Sequence, residues 1–387
     1  MKIAFINNKC HLTGVDTALR NRIDFLQQLQ EECSIVFLEH GFEEETFKNL
    51  HYIVADSEDK FNRAIEECDV IVTVIVPESL TRKLCSFGKP IIYECHACGP
   101  YTYLEKLAIY GVSAVIFPSR ACFNEAVQCI PEGIKSFIIP NCPPHIEAEQ
   151  RVENNSTDQI PLLWVGRLEE NKNWMLLINL ARELKDSYVI RVITDVSFDR
   201  DYSRFLDILK KENLEKRFDI ITNCPNEQMQ LWYSLSAAQG CYISSSYKEA
   251  FGMTLIEAMN AKCPMVISNI PVFREVAGDG ALYFEPEDYK RCIDQIYSIC
   301  EDKEIRCIKI NELSKRFDEH FHGNVISQEY LDTIIGIKQA YIPRNIDIKP
   351  TQAASIKPSA SGRLASKTIS LSSGKLVMND NKMELLQ

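Results

Sequence analysis

Residues Ser244 to Ala261 read SSSYKEAFGMTLIEAMNA, and the fold predicted for the rest of the chain follows from this stretch. The short apolar run from Gly240 to Ile243 precedes it and predicts a buried strand. After Gly252 the residues are good helix formers with apolar side chains on one side. A strand, a polar loop with one glycine and a helix start together indicate an anion-binding site in an α/β sheet, because the first N–H groups of a helix have no partner within it.

Two glutamates frame this loop, Glu249 within it and Glu257 in the helix, with seven residues between them. The pair alone is also consistent with two solvated surface glutamates. Together with Ala250-Phe251-Gly252 and Ala258-Met259, it resembles the Glu-x7-Glu signature of retaining GT-B glycosyltransferases of family 4, the glycosyl transferases group 1. Two downstream segments continue the resemblance, Cys263 to Ser268 and Pro271 to Val276.

The resemblance implies roles for these residues. Glu257 would accept hydrogen bonds from the ribose hydroxyls of a nucleotide-sugar donor, and Glu249 would contact the transferred sugar as a catalytic residue. Backbone amides at the helix start would hold the sugar and the phosphate, and they belong to Phe251, Gly252, Met253, Thr254 and Leu255.

A second cluster follows the run around Trp164, where the chain reads Val165-Gly166-Arg167-Leu168-Glu169-Glu170-Asn171-Lys172. Gly166 permits a tight turn, and Arg167 and Lys172 place two cations near one strand end, as a diphosphate requires. Two surface cations on a loop are the alternative interpretation. The resemblance favours donor binding by Gly166, Arg167 and Lys172.

The first half of the chain contributes two further candidates by resemblance. His96 follows the predicted strand Pro90 to Tyr93 and would reach the donor sugar as a catalytic residue, although a histidine satisfied within its loop is the alternative. Gly14 matches a glycine loop that brings backbone N–H groups to the donor. Many relatives have two glycines there and an acid after the histidine, whereas this chain has Thr13-Gly14 and Ala97.

Length and composition indicate an ordinary globular protein of two domains. The chain has 387 residues and a net charge of −11, which argues against nucleic acid as a partner. It has no apolar run of membrane-spanning length, and its first residues predict a strand instead of a leader peptide. The fifteen cysteines therefore indicate reduced thiols in a cytoplasmic protein.

Alternating apolar runs and amphipathic segments predict an open α/β fold. The near-continuous β-branched run Asp69 to Val76 predicts a strand buried on both faces of a parallel sheet. We predict a GT-B arrangement of two Rossmann-like domains facing across a cleft, with a C-terminal crossover helix. The predicted parts are an acceptor-side domain at 1–147, a linker at 148–160, a donor domain at 161–326, the crossover helix at 327–342 and a flexible Ser/Lys-rich tail at 343–387.

The tail has a basic balance of charges beyond Arg344. Such a segment is usually a solvated end, and peripheral contact with the inner face of a membrane is the alternative.

Two patterns suggest metal sites that the sequence does not support further. Cys95-x-x-Cys98 has no second pair to complete four zinc ligands. Asp199-Arg200-Asp201 is similar to the metal site of the GT-A fold but lies in a polar stretch where three charged residues usually form a solvated turn. We therefore predict no metal and no cofactor.

The predicted function is metal-independent transfer of a sugar, with retention, from a nucleotide diphosphate sugar to a glycan or glycolipid. The donor would be a UDP- or GDP-sugar. The enzyme would act in polysaccharide or lipopolysaccharide synthesis. A GT-B epimerase or phosphorylase and a non-catalytic binding protein are the alternatives.

Overall fold

The computed structural model describes residues 1–9, 13–41, 47, 50–145, 159–196 and 201–343, together with the backbone of three strands between 368 and 386. The chain divides into two compact units. The first unit is Met1–His145 with His320–Ala360, and the second unit is Ile146–Glu319 with Ser361–Gln387. Residues 148–158 of the predicted linker lie outside the described residues.

The first unit is built on a parallel sheet of seven strands in the order β3-β2-β1-β4-β5-β6-β7. Its strands are β1 Lys2–Lys9, β2 Glu32–Glu39, β3 Tyr52–Val54, β4 Val70–Thr73, β5 Ile91–Glu94, β6 Ala114–Phe117 and β7 Lys135–Ile138. Every residue of β4, β5 and β6 is buried, as expected for central strands covered on both faces.

The strand β4 is shorter than the predicted run Asp69 to Val76. Thr73 ends it, because its hydroxyl donates a hydrogen bond to the Ile75 carbonyl at 2.5 Å, and Oγ1 accepts one from the Ile75 amide at 3.2 Å. This local turn satisfies backbone groups that a continuing strand would have paired with its neighbours.

In the described part of the first unit, five α-helices accompany this sheet. They are α1 Gly14–Gln28, α2 Glu58–Glu66, α3 Glu78–Cys85, α4 Arg120–Ala126 and, much later in the chain, α12 Gly323–Ala340. α1 begins at Gly14, because Thr13 caps it by accepting a hydrogen bond from the Asp16 amide at 3.3 Å. Ile326, Ile334 and Ile337 of α12 are buried within the first unit.

The second unit has six parallel strands in the order β13-β12-β11-β8-β9-β10. These are β8 Ile160–Val165, β9 Tyr188–Thr194, β10 Phe218–Thr222, β11 Cys241–Ser244, β12 Met265–Ser268 and β13 Leu282–Phe284. The helices are α5 Met175–Glu183, α6 Tyr202–Lys211, α7 Asn226–Gln239, α8 Met253–Asn260, α9 Pro271–Ala277, α10 Tyr289–Glu301 and α11 Lys303–His320. Two parallel sheets of this kind with helices around them are the predicted α/β GT-B fold.

The segment predicted as a flexible tail contains three antiparallel strands, which the composition argument missed. They are β14 Thr368–Leu371, β15 Gly374–Asn379 and β16 Lys382–Leu386, and β14 extends the second sheet beside β10. The edge strand β10 offers unpaired backbone groups to an extended segment. A single registered pair, Ile220 with Ser370, joins the two strands.

Candidate active site

The order of strands in the second unit places two loops side by side. β8 pairs with β9 on one side and with β11 on the other, so the strand order reverses at β8. In parallel α/β sheets, ligands bind beyond the carboxyl ends of the strands at such a reversal. The loops that follow β8 and β11 contain the residues that the sequence predicts for donor binding.

Gly252 ends the loop after β11 and starts α8. Its φ of +92° lies in the left-handed region, which an L side chain rarely adopts. A Cβ there would also lie 3.1 Å from the Phe273 ring. Glycine thus lets the chain turn directly into α8, whose N-terminal N–H groups and dipole favour an anion.

Hydrogen bonds fix the two loops to each other. The Asn171 side chain donates to the Lys248 carbonyl at 2.9 Å, and the Tyr247 amide donates to the Asn171 carbonyl at 2.9 Å. The Ser245 hydroxyl donates to the Lys172 carbonyl at 2.7 Å. Lys172 and Glu249, the cation and the acid of the predicted site, therefore lie on loops that are held at a fixed separation.

Lys172 and Glu249 form an ion pair across these loops. The Lys172 ammonium donates to Glu249 Oε1, which also accepts a hydrogen bond from the Ser246 hydroxyl at 2.8 Å. The side chains are 24% and 16% exposed, so the pair is partly shielded from water and still reachable by a ligand. Ser246 is itself held, because the Ser268 hydroxyl donates to its carbonyl at 2.7 Å. Sequence reasoning did not identify Ser246 as part of the site.

Arg167 lies on the same loop but pairs with another residue. Its guanidinium is 2.9 Å from Glu169, and both side chains are 45% exposed. The Gly166 amide donates to the Ile193 carbonyl at 3.0 Å, so the loop leaves the sheet immediately after Gly166. Arg167 is thus an accessible cation at the end of β8.

Glu257 lies on α8 and is buried, with 9% of its surface exposed. The Tyr233 hydroxyl, on α7, donates to Glu257 Oε2 at 2.8 Å. Burial and the Glu257 charge raise the pKa of Tyr233, so the phenol keeps its proton and remains a donor. Thr254, also on α8, is held by a hydrogen bond that the Tyr242 hydroxyl donates to its Oγ1 at 2.6 Å. No sequence pattern pointed to Tyr233.

In the first unit, His96 follows β5 and contacts the last residue of that strand. His96 Nε2 is 3.0 Å from Glu94 Oε2, and the two side chains are 9% and 2% exposed. Ala97 follows His96 where the family that this segment resembles often has an acid, and Glu94 supplies a carboxylate from two residues before. The sequence did contain a signal that could have identified Glu94, since this acidic residue ends an otherwise apolar buried strand.

Glu94 is held by two helices through its other oxygen. Arg22 Nε, on α1, is 3.3 Å from Glu94 Oε1, and the Tyr330 hydroxyl, on α12, donates to the same atom. Burial raises the pKa of the Glu94 carboxyl, but Arg22, His96 and Tyr330 together hold it at about 2. Glu94 is therefore ionised at neutral pH.

Gly14 is the first residue of α1 and is exposed. Residues 10–12, which precede this helix start, lie outside the described residues. The neighbouring Asp16 accepts hydrogen bonds from Asn7 at 2.9 Å and from the Thr13 hydroxyl at 2.6 Å, which fixes the first turn of α1 against the end of β1.

The structure describes most residues of the two sequence patterns that suggest metal sites, Cys95-x-x-Cys98 and Asp199-Arg200-Asp201. Cys95 and Cys98 form no disulfide with the described cysteines. Asp199 and Arg200 lie outside the described residues, and Asp201 is 3.6 Å from Arg204. In the described parts of the chain, no group of three or more His, Cys, Asp or Glu side chains is placed to bind a metal. Within the same residues, no helix combines the length and apolarity needed to cross a membrane.

Comparisons with known proteins agree with this architecture. Residues 145–319, nearly the whole second unit, match the family model described as glycosyl transferases group 1. The O-antigen chain mannosyltransferase RfbU of Salmonella typhimurium is 30% identical over 129 residues, which are 33% of this chain and 35% of that protein. A probable sucrose-phosphate synthase of Thermosipho melanesiensis is 26% identical over 245 residues, 59% of this chain and 56% of that protein. This chain therefore matches only about a third to a half of these relatives' lengths.

A likeness over a larger part of the chain comes from solved structures. Anabaena HepE, in complex with UDP and glucose, superposes with a TM-score of 0.71 at 16% identity and covers 87% of this chain and all of that one. At this identity the likeness shows the fold alone. Together with the two parallel sheets, it identifies the chain as a GT-B protein.

Proposed function

We propose that this GT-B chain is a retaining glycosyltransferase that moves a sugar from a nucleotide diphosphate sugar to a glycan or glycolipid without a bound metal. The observation that carries the proposal is the contact of Lys172 with Glu249 at the point where the strand order reverses. A cation, an acid and the N-terminus of α8 meet there on loops that hydrogen bonds hold together.

The donor diphosphate would bind to positive charge at this edge. Lys172 offers a point charge and Arg167 a planar fork, and the start of α8 after Gly252 adds N–H groups. These groups also stabilise the diphosphate as it leaves, because it gains negative charge in the transition state. The same groups make a divalent cation unnecessary.

The nucleoside and the sugar would meet the two glutamates. Glu257 would accept hydrogen bonds from the ribose hydroxyls, and Glu249 would lie beside the sugar, where positive charge develops at the reacting carbon. A UDP- or GDP-sugar is the proposed donor. The UDP and glucose bound to HepE and the mannosyltransferase names of the relatives support this class.

Retention is proposed from the resemblance and from one physical argument. An inverting enzyme needs a base on the face opposite the leaving group to take the proton of the acceptor. In a front-face reaction the departing phosphate oxygen takes that proton, so the enzyme supplies only cations and polar contacts. Lys172, Glu249 and His96 have this chemistry.

The acceptor is proposed to be a cell-surface glycan or its lipid-linked precursor, on the strength of the O-antigen relatives. We propose a cytoplasmic protein, in keeping with a sequence whose cysteines indicate reduced thiols. A lipid-linked acceptor would bring it to the inner face of the membrane.

The test is a thermal-shift screen of UDP-, GDP-, ADP- and CMP-sugars, since a ligand of the folded state raises Tm. The donor that binds is then incubated with candidate acceptors, with and without EDTA, and the first-formed glycoside is examined by NMR. An α-linked donor should give an α-linked product. A β-linked product overturns retention, and loss of activity with EDTA that manganese restores overturns metal independence.

The same experiments separate the alternatives. Release of free nucleotide and an isomerised sugar without any acceptor indicates an epimerase, and a requirement for inorganic phosphate indicates a phosphorylase. Failure to bind any of the four classes of nucleotide sugar supports a non-catalytic binding protein.

A further inference from the structure

We propose that Glu94 is a positioning residue that holds His96 in the tautomer with its proton on Nε2, so that Nδ1 is the hydrogen-bond acceptor offered to a sugar hydroxyl. That the ligand is a sugar hydroxyl depends on the proposed function. The tautomer itself rests only on groups of the first unit.

The geometry defines which nitrogen is engaged. His96 Nε2 is 3.0 Å from Glu94 Oε2, a hydrogen-bond distance; the Glu94 side chain is buried and the His96 side chain is 9% exposed. A half-turn of the ring would replace Nε2 by a carbon and leave Oε2 of the buried carboxylate without this donor, which is costly.

The carboxylate is fixed on its other side. Glu94 Oε1 faces the Arg22 guanidinium at 3.3 Å and accepts a hydrogen bond from the Tyr330 hydroxyl. Arg22 also donates to the Pro140 carbonyl at 3.2 Å, and its guanidinium carbon lies 4.1 Å from the centre of the Tyr330 ring. Residues from α1 and α12 thus leave Oε2 as the oxygen that meets His96.

The direction of the hydrogen bond follows from charge. Arg22 and the other donors keep Glu94 ionised at neutral pH, and an ionised carboxylate can only accept. His96 Nε2 must then be the donor. A neutral imidazole has one N–H, so its Nδ1 retains a lone pair. That atom can accept a hydrogen bond from a hydroxyl but cannot donate one to a sugar oxygen.

The first test needs no substrate and no change to Glu94. The nitrogen-15 spectrum of histidine-labelled protein is recorded without ligand through a pH titration up to the plateau where the ring is neutral, and His96 is assigned by its loss in His96→Asn. We expect a protonated Nε2 and an unprotonated Nδ1. A neutral ring with its proton mainly on Nδ1 overturns the proposal, whether or not any glycosyl transfer is found.

The second test reverses the predicted donor. In Glu94→Gln the amide oxygen remains the acceptor for Arg22 and Tyr330, so the amide nitrogen turns to His96 and donates to Nε2. The neutral tautomer should therefore switch to protonated Nδ1, with the native fold checked by Tm. An unchanged tautomer in the folded variant contradicts the role of Glu94. The matched control is Glu105→Gln, an exposed glutamate of the same unit, which should leave the spectrum unchanged.

Kinetics separate positioning from a structural role. With a donor and acceptor in hand, Glu94→Gln should lower kcat about tenfold and change the donor KM less than about twofold, since one hydrogen bond to the sugar is lost. In a His96→Ala background the same change should have no further effect on kcat. An equal loss in both backgrounds shows a structural role and overturns the proposal.

Discussion

Lys172 and Glu249 are 77 residues apart in the chain, yet the Lys172 ammonium donates a hydrogen bond to Glu249 Oε1 at the carboxyl edge of the second sheet. Each residue lies on a loop that follows one of two adjacent strands, β8 and β11. Because the two groups share one site, a ligand anion that approaches Lys172 also approaches Glu249. The consequences of changing either charge can therefore be separated by measuring donor affinity and turnover independently.

Removing the cations should weaken donor binding. Lys172→Ala and Arg167→Ala should each cost about 1.5–3 kcal/mol of binding free energy, because charge-assisted hydrogen bonds to the diphosphate are lost. Calorimetric titration with the donor found in the thermal-shift screen measures the effect. Lys290→Ala, an exposed lysine of α10, is the control and should bind as the wild type does. Wild-type affinity in the double variant would contradict the assignment of both residues.

Neutralising Glu249 should reduce turnover more than affinity. In Glu249→Gln the amide oxygen can still accept from Lys172 and Ser246, so the loops stay in place, while the negative charge beside the developing positive sugar is lost. We expect kcat to fall about a hundredfold and the donor Kd to change only a few-fold. Steady-state kinetics checks this against Glu287→Gln, an exposed glutamate. A large loss of affinity with unchanged kcat would instead assign Glu249 to ground-state binding.

Changing Glu257 should affect both donor binding and stability. Glu257→Ala removes the predicted ribose acceptor, and it takes from the buried Tyr233 hydroxyl the carboxylate that accepts its hydrogen bond. We expect stability to fall by about 1–3 kcal/mol as well as weaker donor binding. Adding Tyr233→Phe should recover part of the stability but none of the affinity. Tm measures the change in stability, and calorimetric titration measures the change in donor affinity. If the double variant regains donor affinity together with stability, Glu257 does not contact the ribose directly.

A glycine in the second sheet should resist substitution. A Cβ at Gly240, just before β11, would lie 1.6 Å from the Pro161 carbonyl oxygen of β8, so Gly240→Ala should cost at least about 3 kcal/mol. Gly336, exposed on α12, has nothing within 4 Å of a Cβ, and Gly336→Ala should gain about 0.5–1 kcal/mol. Denaturant unfolding measures both changes. Equal effects at the two positions would contradict the close approach of the strands.

The buried Glu94 should make stability depend on acid. Its pKa is lowered from 4.5 to about 2 in the folded chain, so it contributes stability above pH 4.5 that is lost as the pH falls toward 2. Glu94→Gln should cost about 3–5 kcal/mol at neutral pH, because Arg22 loses its charged partner. The difference in Tm between wild type and variant should shrink between these two pH values. A difference that stays constant would show that Glu94 is not ionised in the fold.

Local patterns were sufficient to predict most of the fold. Runs of β-branched and apolar residues identified central strands of the first sheet, among them β4 within Asp69 to Val76 and β5 within Pro90 to Glu94. The strands of the second unit and the helix after Gly252 followed from the same patterns. The composition of the last segment did not predict β14 to β16, because the sheet edge beside β10 that β14 joins is set by the tertiary structure.

The contacts of the site could not be predicted in the same way. The residue types at Lys172, Glu249 and His96 suggested chemistry, and their roles remain predictions. Their partners depend on tertiary structure, since Tyr330 meets Glu94 across 236 residues and Tyr233 approaches Glu257 from a different helix. A side-chain hydrogen bond between distant residues has no periodicity in the sequence that would reveal it.

The separation of Tyr330 from Glu94 also has a consequence for synthesis on the ribosome. At about 5–20 residues per second, the 236 residues between them take roughly 10 to 50 seconds to translate. During that time Arg22 and Glu94 have been made, but α12 is absent and their contact lies open to water. The six parallel strands of the second unit, up to β13, and the helices α10 and α11 are made before α12 emerges. The nascent first unit is therefore the part of the chain that chaperones should bind, and α12 ends that exposure when it packs.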